Sequence, residues 1–284
     1  MTIETKELVI SEELKRKVEM ICRFAYVDYE FINGNIKSIK NTNIAYVKPH
    51  ILKVKNNDYL ISMVPVEELL RFGYEIGLNE KSKVLDLCCG YGTVLKIWSE
   101  AFGISGVGVD LDDTFLSIVR ERLSAEGLDK IKLLCDNVLT YEDNSKYDVV
   151  ILSETFESIE NTFLLGERFL KPDGIIAYQK LYSKTQTPPK ELIDFDEEVL
   201  PLSELNLRFN NLGYYITSMA SDSTGKWEHY VINWSGNRDW RAFKNNPSNT
   251  ELKNWIDYWY NIYFDYRRPY EGQALFGLKK IKGE

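Results

Sequence analysis

Residues Lys83 to Gly92 read KVLDLCCGYG, a buried-strand pattern that runs straight into a glycine turn. Val84 and Leu85 suit a strand interior, Asp86 puts a carboxylate at the strand's end, and Gly90 and Gly92 let the backbone turn tightly into a following helix. The first amides of such a helix point outward with a partial positive charge, so the turn favours an anionic group of a ligand, phosphate or carboxylate. Asp86 works differently. Beside those amides it repels a pyrophosphate but can receive an ammonium group, which favours a zwitterionic or cationic cofactor.

Outward from this stretch the pattern alternates. From Pro65 the spacing predicts helix 66–77, strand 83–87, helix 93–102, strand 105–109, helix 113–126 and strands 131–135 and 147–152. Helix 159–170 follows, then a Lys171-Pro172-Asp173-Gly174 turn and strand 175–179. After a polar loop come helix 202–211, strand 214–219, a long aromatic helical segment and a last strand, 273–281. Alternation of this kind means a doubly wound α/β sheet, mostly parallel, with helices on both faces and a ligand beyond the strands' carboxyl ends. Before Pro65, residues 11–23 read as an amphipathic helix, Tyr29–Ile32 and Asn35–Ile39 as a hairpin around Asn33-Gly34, and 44–55 as one more strand.

Bulk composition narrows the function. The 284 residues suit one domain of roughly 200–250 residues with elaborations. A net charge of -8 argues against sequence-independent binding to nucleic acid, which rests on Lys and Arg neutralising phosphates. No apolar run approaches membrane-spanning length and the charged start lacks a secretory core, so a cytoplasmic protein is expected. Four cysteines without zinc-like spacing and two histidines give no reason to expect a metal.

Asp110 ends the second strand, where a carboxylate can accept both hydroxyls of a ribose. Together with Asp86, Asp136-Asn137 after the third strand and Ser153-Glu154 after the fourth, it makes a four-part pattern at successive strand ends. On these residues the chain resembles the class I S-adenosylmethionine-dependent methyltransferases from about Pro65 onward. The resemblance implies a Rossmann-like sheet of seven strands, mostly parallel with the last antiparallel, and S-adenosylmethionine as cofactor with S-adenosylhomocysteine as product. It also implies that Asp86, with Cys88, Gly90 and Gly92 of the turn, holds the methionine part, that Asp110 binds the ribose, that Leu111 packs on the adenine and Asp136 or Asn137 touches its amine, and that Ser153 also lies against the cofactor. Cys88 departs from the family pattern, standing where a glycine is usual.

Trp227-Glu228-His229-Tyr230, Asn246-Pro247, Trp255, and Tyr263 leading into Arg268-Pro269-Tyr270-Glu271-Gly272 resemble a group of bacterial small-molecule methyltransferases with a helical insertion before the last strand. The resemblance implies a methyltransferase domain over 61–284 with a lid over 222–270 and a small-molecule acceptor; residues 1–60 fall outside it and read as an N-terminal elaboration of a helix and small β elements. Glu154 and His229 are the candidate catalytic groups, each able to accept a proton from an acceptor. Tyr182, Trp227, Tyr230 and Tyr270 are candidates to wall a pocket around a sulfonium or amine, and Arg267 and Arg268 to meet a carboxylate or phosphate. Asn246-Pro247 lies far from the fourth strand, which removes the main support for a flipped-base mechanism.

Two other functions fit less well. A nicotinamide-dependent oxidoreductase would use Gly90, Gly92 and Asp110, but the third fingerprint glycine is Leu95 and Asp86 would face the pyrophosphate. A non-catalytic cofactor-binding or regulatory protein would keep the fold without turnover.

Overall fold

The computed structural model describes residues 27–32, 35–41, 62–113, 116, 117, 120, 123, 129–153, 158–195 and 199–281. The helix expected over 11–23 and the strand over 44–55 lie outside these residues, as does much of the helix expected over 113–126. Strands β1 (Val27–Ile32) and β2 (Asn35–Asn41) pair antiparallel with Ile32 opposite Asn35, the register of a two-residue connection. They form a sheet of their own.

The main sheet has seven strands: β3 (Lys83–Leu87), β4 (Ser105–Asp110), β5 (Ile131–Cys135), β6 (Tyr147–Leu152), β7 (Leu170–Ser183), β8 (Tyr214–Ser221) and β9 (Glu271–Lys280). Their order is β5-β4-β3-β6-β7-β9-β8, and β9 alone runs against its neighbours. Around it lie α1 (Val66–Glu75), α2 (Thr93–Phe102), α3 (Ile159–Glu167), α4 (Lys190–Phe195), α5 (Leu202–Asn211), α6 (Thr224–Glu228), α7 (Asn237–Asn245), α8 (Thr250–Ile262) and a last turn, α9 (Arg268–Tyr270). Two π-helical stretches, His229–Gly236 and Tyr263–Arg267, interrupt the helices of the 222–270 segment.

Strand alternation sorts the core into two layers. Val84, Ile151 and Ala177 pack with Leu69 and Phe72 of α1 and Leu95 and Trp98 of α2. Leu85, Val150 and Ile176 pack on the opposite face with Phe163 of α3 and Phe209 of α5. A third cluster joins the 222–270 segment to the carboxyl end of β7: Trp227, Val231 and Tyr263 meet Leu181, Met63, Leu192 and Val199. Met63 is held there because its amide donates to the Gln273 side chain (2.8 Å) and its carbonyl accepts from Ser223 (3.1 Å).

Two local expectations are corrected. The Lys171–Gly174 turn does not precede β7 but lies within it, bulging out opposite Asp148 between the pairs Tyr147–Leu170 and Val149–Ile175. The Lys171 ammonium holds the bulge by reaching Asp148 (2.7 Å), and Pro172 has no N–H for a ladder. The polar loop contains α4, which begins after Pro188-Pro189 and buries one apolar residue, Leu192, too little to give a periodic signal.

Candidate functional site

Asp86, Gly108 and Asp110 share one sheet face, because Asp86 is in register with Gly108 and strands alternate with a period of two. That face also carries Ser153, two residues beyond Ile151, the partner of Asp86 on β6. The turn after β3 sits above it. Cys88 and Cys89 both donate their amides to Val109 (2.9 and 3.1 Å), and Gly92 donates to Cys89 (2.8 Å), so the turn folds back onto the end of β4.

Gly90 and Gly92 have φ of 53° and 59°, and Gly92 is the N-cap of α2 without any side-chain cap. Cys88 shares this left-handed conformation at φ 66°, the one non-glycine with positive φ among the described residues. A side chain in that conformation costs about 1–2 kcal/mol, which accounts for glycine being usual at the position. Its neighbour Cys89 is packed into the close approach between turn and strand: a methyl group added at Gly108 would stand 2.7 Å from the Cys89 Sγ.

The electrostatics follow from burial. Asp86 is 3% exposed, and loss of water, followed by the charge of Asp110, pushes its carboxyl well above the usual range. Asp110 is also raised by burial, opposed by the backbone N–H groups of Asp112 and Gly90, which donate to its Oδ1 (2.9 Å) and Oδ2 (2.7 Å). A buried and a half-buried carboxylate on one face form a site whose charge calls for a cation. Burial, then Asp86 and Asp110, push the Cys89 thiol up as well.

The remaining sequence candidates distribute around this centre. Leu111 is half-buried after β4; its carbonyl accepts from the Cys135 thiol (3.5 Å). The Asp136 amide donates to the Asp110 carbonyl (3.0 Å), while the Asn137 Oδ1 accepts from Leu139 (3.0 Å), so β4 and β5 hold these loops together. Glu154 lies outside the described residues. His229 is exposed where α6 passes into the first π-helical stretch.

Trp227 is buried, with its Nε1 donating to Asp222 (2.5 Å), and Tyr230 and Tyr270 pack partly buried against the same cluster. Tyr182 is not brought together with them. It belongs to the opposite layer, edge-on to Phe276 and lying over Gly272. Arg268 is exposed and paired with Glu228 (2.8 Å).

Sequence reasoning missed Arg267 and Glu271 as a unit. The pair is buried, and the ring of Trp227 faces the Arg267 guanidinium at 5.1 Å, so the aromatic surface expected to meet a ligand cation already meets one from the chain itself. The i,i+4 spacing of Arg267 and Glu271 was the available signal, hidden because it crosses from helix into strand. Among the described residues no group of three or more His, Cys, Asp or Glu side chains is placed to hold a metal ion.

Residues 84–174 match the family described as methyltransferase domain. The chain is 24% identical over 247 residues to the protein YjhP of Escherichia coli K12, covering 81% of this chain and 98% of that one. Its fold is shared with crystal structures described as SAM-dependent methyltransferases in complex with S-adenosyl-L-homocysteine. The one from Geobacter sulfurreducens has a TM-score of 0.71 at 23% identity, covering 84% of this chain and 98% of that chain. The one from Thiobacillus denitrificans gives the same values.

Proposed function

We propose that this S-adenosylmethionine-dependent methyltransferase acts on a small-molecule acceptor held between the carboxyl ends of β6 and β7 and the aromatic lid. The observation that carries the reading is the pair of carboxylates, buried Asp86 and half-buried Asp110, on one face beneath a glycine turn. That pair suits S-adenosylmethionine, whose ammonium and sulfonium are cationic and whose ribose offers two hydroxyls to a carboxylate. It suits a dinucleotide poorly, because the pyrophosphate would approach Asp86.

In this reading the cofactor supplies a methyl group activated by positive sulfur. Asp86 receives the ammonium, which offsets the cost of keeping its carboxylate charged out of water. Asp110 has lone pairs left for the ribose hydroxyls after accepting from Gly90 and Asp112. The amides at the start of α2 face the cofactor carboxylate. The turn holds one shape because Val109, Cys89 and Asp110 occupy its backbone N–H groups.

Lid residues Trp227, Val231 and Tyr263 close the acceptor side with apolar surface and exclude water. Alignment of donor and nucleophile then supplies much of the acceleration, with effective molarities that reach roughly 10⁵ M in favourable cases. A proton acceptor is needed only for a protonated nucleophile, and His229 and Glu154 are the candidates.

Calorimetric titration with S-adenosylmethionine, S-adenosylhomocysteine and NAD tests the cofactor. Binding of NAD without either adenosyl compound overturns the reading. Release of S-adenosylhomocysteine over fractionated cell extract tests the acceptor: turnover confined to the macromolecular fraction removes the small-molecule assignment.

A further inference from the structure

Arg267 and Glu271 form an ion pair withdrawn from water, 7% and 0% exposed. Arg267 donates through Nε and Nη2 to the two carboxylate oxygens of Glu271. Its guanidinium carbon stands 5.0 Å from the ring centroid of Phe195, 5.1 Å from that of Trp227 and 5.2 Å from that of Trp259. The three rings belong to α4, α6 and α8, and Glu271 opens β9, which is hydrogen-bonded between β7 and β8. One side chain therefore ties two segments of the lid, α6 and α8, and α4 of the preceding loop to the interior of the sheet.

Such a pair is a poor device for stability alone. Desolvating two charges costs about what their attraction returns, and apolar residues of similar volume are often at least as stable. What the pair adds is direction. A planar guanidinium that forks onto one carboxylate and lies against three aromatic rings meets all four partners in one arrangement, which a compact ammonium cannot reproduce. Trp227 is further fixed by its bond to Asp222, and Trp259 by stacking on Trp255 at 5.8 Å. Trp227 and Tyr263, in ring contact at 6.4 Å, are the buried aromatics this clamp sets against Leu181 at the end of β7.

We propose that Arg267 is a positioning residue for the acceptor: clamped by Glu271, it holds Phe195, Trp227 and Trp259 in one arrangement and so sets which acceptor is methylated without setting cofactor affinity. The acceptor part rests on the methyltransferase reading above.

The test compares the full-length wild type with Arg267→Lys, Arg267→Met and the double variant Arg267→Met/Glu271→Gln. Three measurements are made: S-adenosylhomocysteine affinity by calorimetry, hydrogen exchange peptide by peptide, and kcat and KM with the extract fraction that the wild type methylates. The expected result is an affinity within threefold in every variant. Exchange in peptides covering 190–195, 224–236 and 250–267 rises together at least tenfold, with peptides from α1 and α2 unchanged, and acceptor KM rises at least tenfold. The lysine variant does not rescue.

Should Arg267→Met fail to fold because the buried Glu271 carboxylate loses the guanidinium facing it, the double variant carries the same expectations without that charge. Unchanged lid exchange, rescue by lysine, a uniform rise across the chain, or a parallel loss of S-adenosylhomocysteine affinity overturns the proposal. Failure of the methyltransferase reading shows separately, as no adenosyl binding by the wild type. If no fraction supports turnover, exchange and affinity still decide whether Arg267 positions the lid.

Discussion

Replacing Gly108 by alanine is expected to damage the cofactor turn through packing alone. A Cβ at this position would stand 2.7 Å from the Cys89 Sγ, 2.7 Å from the Leu133 Cδ2 and 3.1 Å from the Cys89 Cβ. Unstrained carbon contacts are about 3.5–4.0 Å, so each neighbour must retreat by roughly 1 Å. Leu133 presents the end of a flexible side chain and can turn away. Cys89 cannot move by itself, because its amide and that of Cys88 are bound to Val109 and its carbonyl to Gly92.

The displacement therefore passes into residues 88–92 and the Gly90 bond to Asp110. Overpacking of this kind costs about 1–3 kcal/mol, and the tied turn places this case near the middle, at about 2 kcal/mol. Urea unfolding should show that loss at unchanged m-value, and calorimetry should show S-adenosylhomocysteine binding weakened at least roughly tenfold, about 1.4 kcal/mol. Gly225→Ala, in open space on α6, serves as the control and should leave binding unchanged while not lowering stability. If Gly108→Ala stays within about 0.5 kcal/mol of the wild type in both measurements, the turn is not packed on β4 as described.

Asp86→Asn should make the ligand-free protein more stable at pH 8 and weaken S-adenosylhomocysteine binding. The folded carboxyl titrates above its ordinary value of 3.8, so as pH rises from there the unfolded chain releases its proton first and wild-type stability falls. The advantage of asparagine should shrink toward pH 4 in urea titrations, and a wild type that gains on the variant with rising pH contradicts the assignment. Asp110→Ala should lower S-adenosylhomocysteine affinity at least tenfold by calorimetry, since it removes the proposed ribose acceptor together with the partner of Gly90. Gly272→Ala puts a methyl 2.6 Å from the Tyr182 ring and should cost about 1–3 kcal/mol in thermal unfolding, relieved in the double variant with Tyr182→Leu. A double variant no more stable than Gly272→Ala contradicts that contact.

Most of the parallel sheet was legible because each strand from β3 to β6 is a short, mostly apolar run set between polar or glycine-rich turns. Boundaries failed where long-range contacts decide them. Lys171 holds a bulge in β7 only because Asp148 lies on the neighbouring strand, and α4 is stabilised by the burial of Leu192 rather than by a pattern of its own. Cys88 was marked by its departure from a familiar pattern, and its positive φ supplies the physical content of that departure.

By itself the sequence determined the strand–helix alternation of a doubly wound sheet and which carboxylates stand at the strand ends, since both follow from periodicity along the chain. Tertiary structure alone decided what those side chains face. Asp86 and Asp110 share one face because β3 and β4 are in register, so the Asp86 carboxyl, raised first by loss of water, also feels the charge of Asp110, while Asp110 is raised by its own partial burial. Tyr182 lies in the opposite layer from Trp227, although both read as pocket aromatics. Trp227, Trp259 and Phe195 surround Arg267 because chain segments far apart in sequence converge on one guanidinium, an arrangement that no local spacing encodes.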